Sequence, residues 1–391
     1  MEKLQALSSS TAGVSRLHAP PGHLPLGCPR ARAGQLCSSL GLSTQHAAVF
    51  KSHVPSLPPA EAGWRIGAHS AVAEDRQLRR MPSRMPEFNI EGPVIAVVTP
   101  FKSDSLRVDD ESLIKYLQYL WEHGIQNIIV NGTTAEFASM SMAERMEVTE
   151  LTRQYWPGTI INNISSASHV DALQYLRHSQ DLVSDCQGEP RKVEAALLLP
   201  PFYFAKVTDA GLERWLRMIL EVARMPVFLY NFPDHTGNFI SPDLFVRLTR
   251  DFPLLRGIKN TFNDVPLAAK FKGSMPERQV YVGFDGAYLQ ALQAGLDGNV
   301  SSGGGTVLVD TFRNIDKAYH EGDTAAAEEG QRRMDAWADC REKLGVLDLP
   351  AAKAALSGVI PGFSPAVRPP LVAATREQQQ SLTDFVKDMS Q

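Results

Sequence analysis

Two side chains in this sequence have the chemistry to work as a pair, the amine of Lys259 and the phenol of Tyr230. Lys259 follows the apolar run Leu254 to Ile258, and Tyr230 ends a similar run, Val227-Phe228-Leu229. If each run is a buried strand of a parallel barrel, both residues stand at carboxyl ends, where such barrels meet their ligands. An amine held between apolar walls can attack a ketone, and the imine it forms draws electrons from the neighbouring carbon–carbon bond. Breaking or making that bond requires a proton carrier. A tyrosine backed by hydroxyls can be one.

Further polar residues follow other apolar runs in the same way. Thr133 and Thr134 come after Asn127 to Val130, Tyr203 after Ala195 to Leu199, Asp285 after Gln279 to Val282, and Ser302 after Gly298 to Val300. The pair Thr133-Thr134, led by Gly132, offers hydroxyls and backbone N–H groups to a carboxylate. Each residue also has a plainer use. Lys259 could snorkel to solvent, Tyr230 and Tyr203 could pack, Thr133-Thr134 and Asp285 could cap helices, Ser302 could belong to a flexible glycine loop, and His235 could serve a turn. Their joint occurrence on one rim is what favours chemistry.

The elements that must position them repeat from Gly92 onward as apolar strand, polar turn and amphipathic helix. Strands are expected at 94–98, 127–130, 159–164 and 195–199, then before Tyr230, before Lys259, at 279–282 and at 298–300. Helices are expected between them. The first begins near Asp109-Asp110-Glu111 and ends at Gly124, the second opens on Ser141 with Glu144 at capping-box spacing, and the third runs over 170–183. Eight such units specify an α/β fold, a closed (β/α)8 barrel. An open doubly wound sheet would place phosphate-binding glycines after strand one, where Thr99-Pro100-Phe101 stands instead. Helices expected at 312–320, 324–343, 351–356 and 377–389 form a C-terminal helical subdomain. The domain reading is therefore a leader over 1–88, a barrel over 89–305, and a final barrel helix with the helical subdomain over 306–391.

Bulk properties exclude several classes of function. A net charge of -4 gives no footprint for nucleic acid, and no apolar run approaches the roughly 18 residues of a membrane span. Four cysteines, Cys28, Cys37, Cys186 and Cys340, have neither metal nor disulfide spacing. Residues 1–88 are rich in Ser, Pro, Ala and Gly without a sustained apolar period, which reads as disorder. Up to Ala60 Glu2 is the one acid, against five basic residues, Lys3, Arg16, Arg30, Arg32 and Lys51. That bias suits a transit peptide and leaves cytoplasm and mitochondrion open, the other reading being a start at Met81 or Met85.

Four motifs in order, G-T-T-A-E at Gly132 to Glu136, P-F-Y at Pro201 to Tyr203, Y-N-F-P at Tyr230 to Pro233 and G-I-K at Gly257 to Lys259, resemble a known family. It is the class I pyruvate-dependent aldolases, which include dihydrodipicolinate synthase and N-acetylneuraminate lyase, and the resemblance spans Gly92 to Val386. It implies that Lys259 forms a Schiff base with pyruvate, that Tyr230 transfers protons, and that Thr133 links Tyr230 to a Tyr203 reaching across a subunit boundary. Thr134 would hold the pyruvate carboxylate. The resemblance further implies a homotetramer or homodimer, and neither metal nor organic cofactor.

Departures bear on the substrate. His235 stands where the synthase branch has an arginine, which points away from lysine biosynthesis. Asp285 keeps the acid that the sialate-lyase branch uses for hydroxyls, Gly286 replaces its glutamate, and Ser302 matches its hydroxyl-binding serine. Ala135 replaces the motif glycine and adds a methyl group beside the pyruvate pocket. The expected activity is cleavage of a 2-oxo acid, a sialic acid or a 2-keto-3-deoxy sugar acid, to pyruvate and an aldehyde. The alternatives are a sugar-acid dehydratase or dihydrodipicolinate synthase-like enzyme using the same imine, and a non-catalytic barrel that binds a metabolite.

Overall fold

A computed structural model describes residues 88–389, so the leader and the localisation read from it lie outside the described residues. Eight parallel strands close into a barrel in the order β1-β10-β9-β8-β7-β6-β3-β2. They are β1 (Val94–Ala96), β2 (Asn127–Val130), β3 (Thr159–Asn163), β6 (Ala195–Leu198), β7 (Val227–Asn231), β8 (Leu255–Asn260), β9 (Gln279–Val282) and β10 (Gly298–Ser301). The expected (β/α)8 architecture is the observed one.

Strand pleat divides the core in two, because successive side chains point to opposite faces. Val94, Ala96, Ile129, Ile161, Leu197, Phe228, Tyr230, Tyr281 and Val300 pack together inside the barrel. Their chain neighbours, such as Ile95, Ile128, Ile160, Ala196, Val227, Leu229 and Ile258, face the surrounding helices. Phe88 closes the amino-terminal mouth edge-on against Phe228, at 6.4 Å between ring centroids. There the Ile90 carbonyl accepts from the Tyr281 hydroxyl at 3.1 Å and the Gln279 amide at 2.8 Å.

Local signals produce the helix starts. Asp109 accepts from the Ser112 N–H at 3.3 Å, and Ser141 and Glu144 form the full capping box at 3.2 and 2.9 Å. C-terminal helices run over Val309–Glu321, Thr324–Lys343, Asp348–Val359 and Arg376–Met389. Two local expectations are corrected. The third helix stops at Asp181, and β4 (Val183–Cys186) with β5 (Glu189–Lys192) forms an antiparallel hairpin beside the barrel, turning on Gln187 and Gly188 at positive φ. Residues 303–305 open a short helix, Gly303–Val307, where a loop was expected. No described helix is long and apolar enough to cross a membrane.

Candidate active site

Tyr230 and Lys259 are register partners on the adjacent strands β7 and β8. A register shift just before Phe228 and Gly257 sets the inward phase of β8. Gly257, the first residue of G-I-K, then has a packing reason. A Cβ there would lie 2.1 Å from the Gln279 carbonyl oxygen and 2.8 Å from the Phe228 ring. With that space open, Lys259 is 7% exposed and its Nζ lies 4.3 Å from the centroid of the Tyr230 ring. The phenol, 1% exposed, is within 3.3 Å of Thr133 Oγ1.

Thr133 and Thr134 belong to a tight turn in which Ala135 and Phe137 N–H donate to the Gly132 carbonyl and Glu136 N–H donates to that of Thr133. Glu136 adopts the left-handed region at φ 59, whereas Ala135 does not, so an alanine fits the backbone in place of the motif glycine. Its methyl group is fully buried. Lysine, phenol, hydroxyl and turn therefore lie together.

Other candidates have different settings. His235 stacks on Phe232 at 4.0 Å, and Phe232 stacks on Tyr230 at 5.7 Å, which makes a ring column from the Tyr230 phenol to the surface. Partial burial lowers the His235 imidazole pKa, with Asp234 opposing. Tyr203 is 87% exposed at φ 82, edge-on to Phe204, and does not join Thr133 within this chain. Ser302 donates its hydroxyl to Asp348 at 2.8 Å. Asp285 accepts from the Gly304 N–H at 3.1 Å.

The glycine run after β10 is built for close approach. A Cβ on Gly303 would lie 2.6 Å from Asp348, on Gly304 2.5 Å from Asp285, and on Gly305 2.3 Å from Ser301 Oγ. Asp285 and Asp348 thus flank one turn of chain. Burial, with the charge of Asp348 added, pushes the Asp285 carboxyl up from 3.8 to about 6. Because the folded pKa is the higher, the folded protein holds this proton more tightly between those values. The contribution of Asp285 to stability is full below pH about 4 and is lost as pH rises through about 6. Asp285→Asn is expected to gain up to about 3 kcal/mol on the parent between pH 4 and 7. Thermal unfolding of both proteins across that window measures it, and a constant difference would contradict the assignment.

Two residues of the site were not singled out from sequence. Thr261 lies two positions beyond Lys259, hence on the same face by strand period, and its hydroxyl is enclosed without a hydrogen-bond partner among the described residues. Gly283 leaves the space beside it: a Cβ there would meet Thr261 Oγ1 at 2.0 Å and Lys259 Cε at 3.0 Å. The period-two rule applied past the end of the strand would have found Thr261. Gly283 becomes legible only when β8 and β9 are paired. Among the described residues no group of three or more His, Cys, Asp or Glu side chains could hold a metal ion.

A closed (β/α)8 barrel with a buried lysine beside a phenol on its carboxyl rim is the architecture of a class I pyruvate-dependent lyase. Comparison with known proteins agrees, and the chain belongs to the dihydrodipicolinate synthetase family, whose model matches residues 89–389. An uncharacterized DapA-like lyase of Thermococcus kodakarensis is 28% identical over 305 residues, covering 75% of this chain and 97% of that protein. The 2-dehydro-3-deoxy-D-gluconate/2-dehydro-3-deoxy-phosphogluconate aldolase of Thermoproteus tenax is 25% identical over 278 residues, 71% of this chain and 84% of that one. The fold is shared with YagE of E. coli K12, a dihydrodipicolinic acid synthase family protein solved with pyruvate. Its TM-score is 0.69 at 22% identity, over 78% of this chain and 99% of that one.

Proposed function

We propose that this protein cleaves a 2-keto-3-deoxy sugar acid, or a sialic acid, to pyruvate and an aldehyde through an imine on Lys259. The observation that carries this reading is the side-by-side register of Tyr230 and Lys259, with Thr133 3.3 Å from the phenol oxygen. The Lys259 amine adds to the C2 ketone, and loss of water leaves an iminium. Its nitrogen takes up the electron pair of the C3–C4 bond as that bond breaks, while Tyr230 removes the proton of the C4 hydroxyl. The aldehyde departs, the enamine is protonated at C3, and water then releases pyruvate. No organic cofactor enters these steps.

In this reading Thr134 binds the pyruvate carboxylate, and Asp285, Ser302 and His235 line the side of the site that takes the hydroxylated tail. Tyr203, too exposed to serve its own chain, completes the proton relay of a second copy in a homodimer or homotetramer. The name of the Thermoproteus relative supports a sugar acid as substrate, and Thr261 adds an enclosed hydroxyl suited to one. A panel of 2-keto-3-deoxy sugar acids, sialic acid and short hydroxy-oxo acids, assayed for released pyruvate, tests the proposal. Turnover of a sugar acid with release of pyruvate is expected. A product that keeps the whole carbon chain would make the protein a dehydratase, and no turnover of any member would favour a binding barrel.

A further inference from the structure

The helix Asp348–Val359 touches two sides of the site, the turn at Glu136 and the chain at Ser302-Gly303, with charged side chains. From its middle, Lys353, 0% exposed, donates to Glu136 Oε1 at 2.5 Å and to the Ala366 carbonyl at 3.0 Å. The other oxygen of Glu136 accepts from the Arg368 N–H at 2.8 Å. The Arg368 guanidinium in turn bonds Glu144, Leu106 O and Ser139 O. Both cations lie over the ring of Phe101, at 4.2 and 4.3 Å. At its start the same helix presents Asp348, which accepts from Ser302 Oγ and the Gly303 N–H.

Glu136 is the last residue of the G-T-T-A-E motif and has no part in the chemistry described above. It follows the hydroxyl pair with Ala135 between, its backbone is left-handed, and its N–H closes the turn on the Thr133 carbonyl at 3.0 Å. A buried ion pair of this kind adds little net stability, because desolvation offsets most of the attraction. Burial indeed lowers the Lys353 pKa to about 8, with Glu136 holding it up. What the pair does supply is one fixed location for the end of the turn that carries Thr133 and Thr134.

We infer that Glu136 and Lys353 are positioning residues for the keto-acid end of the site, through which the C-terminal helix holds the Thr133-Thr134 turn in its binding geometry. The inference rests on the reading of that turn as the carboxylate-binding element. Displacing a binding group by a fraction of an ångström to one ångström is enough to weaken its contact.

The test is a titration of pyruvate in the presence of borohydride, reading the labelled fraction of Lys259 in the parent, Lys353→Met and Glu136→Gln. Arg153→Met serves as control, since Arg153 is equally buried and pairs with Glu194 at 2.9 Å, near the amino-terminal end of β3. Half-saturating pyruvate is expected to rise about tenfold or more in both test variants and to stay at the parental value in the control. Unchanged half-saturation in Glu136→Gln and Lys353→Met would make the pair merely structural and overturn the inference. Should Lys353→Met fail to fold, Glu136→Gln, which keeps the shape but loses the charge and one of the two acceptor oxygens, decides alone. Amide hydrogen exchange over residues 131–137 separates this from the functional proposal. If the parent takes no label, the imine mechanism fails, and faster exchange of that turn in Glu136→Gln still supports the brace, whereas parental exchange overturns it.

Discussion

Lys259→Met is expected to abolish reductive labelling by pyruvate and borohydride and to lower turnover by about 10⁴-fold or more. Methionine nearly matches the lysine stem in length and stays apolar, so the contact with the Tyr230 ring and the space beside Gly283 are kept. What disappears is the lone pair that, on the proposed mechanism, attacks the ketone, and the amine of Lys353 is engaged instead by Glu136 and the Ala366 carbonyl. A 10⁴-fold loss corresponds to about 5.5 kcal/mol of barrier, far beyond what repacking one half-apolar side chain explains. Mass spectrometry of the tryptic peptide containing residue 259 reads the outcome directly. Persistent labelling of the variant, or a parent that carries no reduced pyruvyl group on Lys259, would remove the imine from the mechanism.

Tyr230→Phe is expected to lower turnover by about 10²- to 10⁴-fold with a much smaller change in KM. The phenyl ring keeps the stack on Phe232 and the face offered to Lys259, so imine labelling by pyruvate should survive at a reduced rate. On the proposed mechanism only the proton carrier is lost. Thr133→Val removes the 3.3 Å contact to the phenol oxygen and should cost about tenfold. On the proposal that Thr133 acts through Tyr230, the double variant should be little worse than Tyr230→Phe alone. Steady-state kinetics on the preferred sugar acid provides the measurement. Multiplicative losses would show two independent roles, and parental turnover in Tyr230→Phe would give the proton to another group.

How much of this was legible beforehand differs by residue, for a physical reason. The helix starts were readable because their signals are local, acids at the amino end of the first and, at Ser141, a cap and its partner three residues apart. The hairpin at 183–192 was missed because its short polar strands, exposed on most of their length, have no apolar alternation to announce them. Tyr203 was readable as a strand-end phenol, yet its outward direction follows from a left-handed backbone that no residue type at that position advertises.

Apolar periodicity, turn residues and the order of four motifs were enough, on their own, to specify eight strand-helix units and to set a lysine and a phenol at the ends of two of them. Those are local properties, written within a few residues of where they act. Ring closure and the fold-back of the C-terminal helices decided the rest. Only they bring Gly283 beside Lys259, turn the hydroxyl of Ser302 toward Asp348, and join Glu136 to Lys353 across 217 positions of chain. A side chain's partner at such a distance depends on how every intervening element packs, and no short stretch of sequence contains that information.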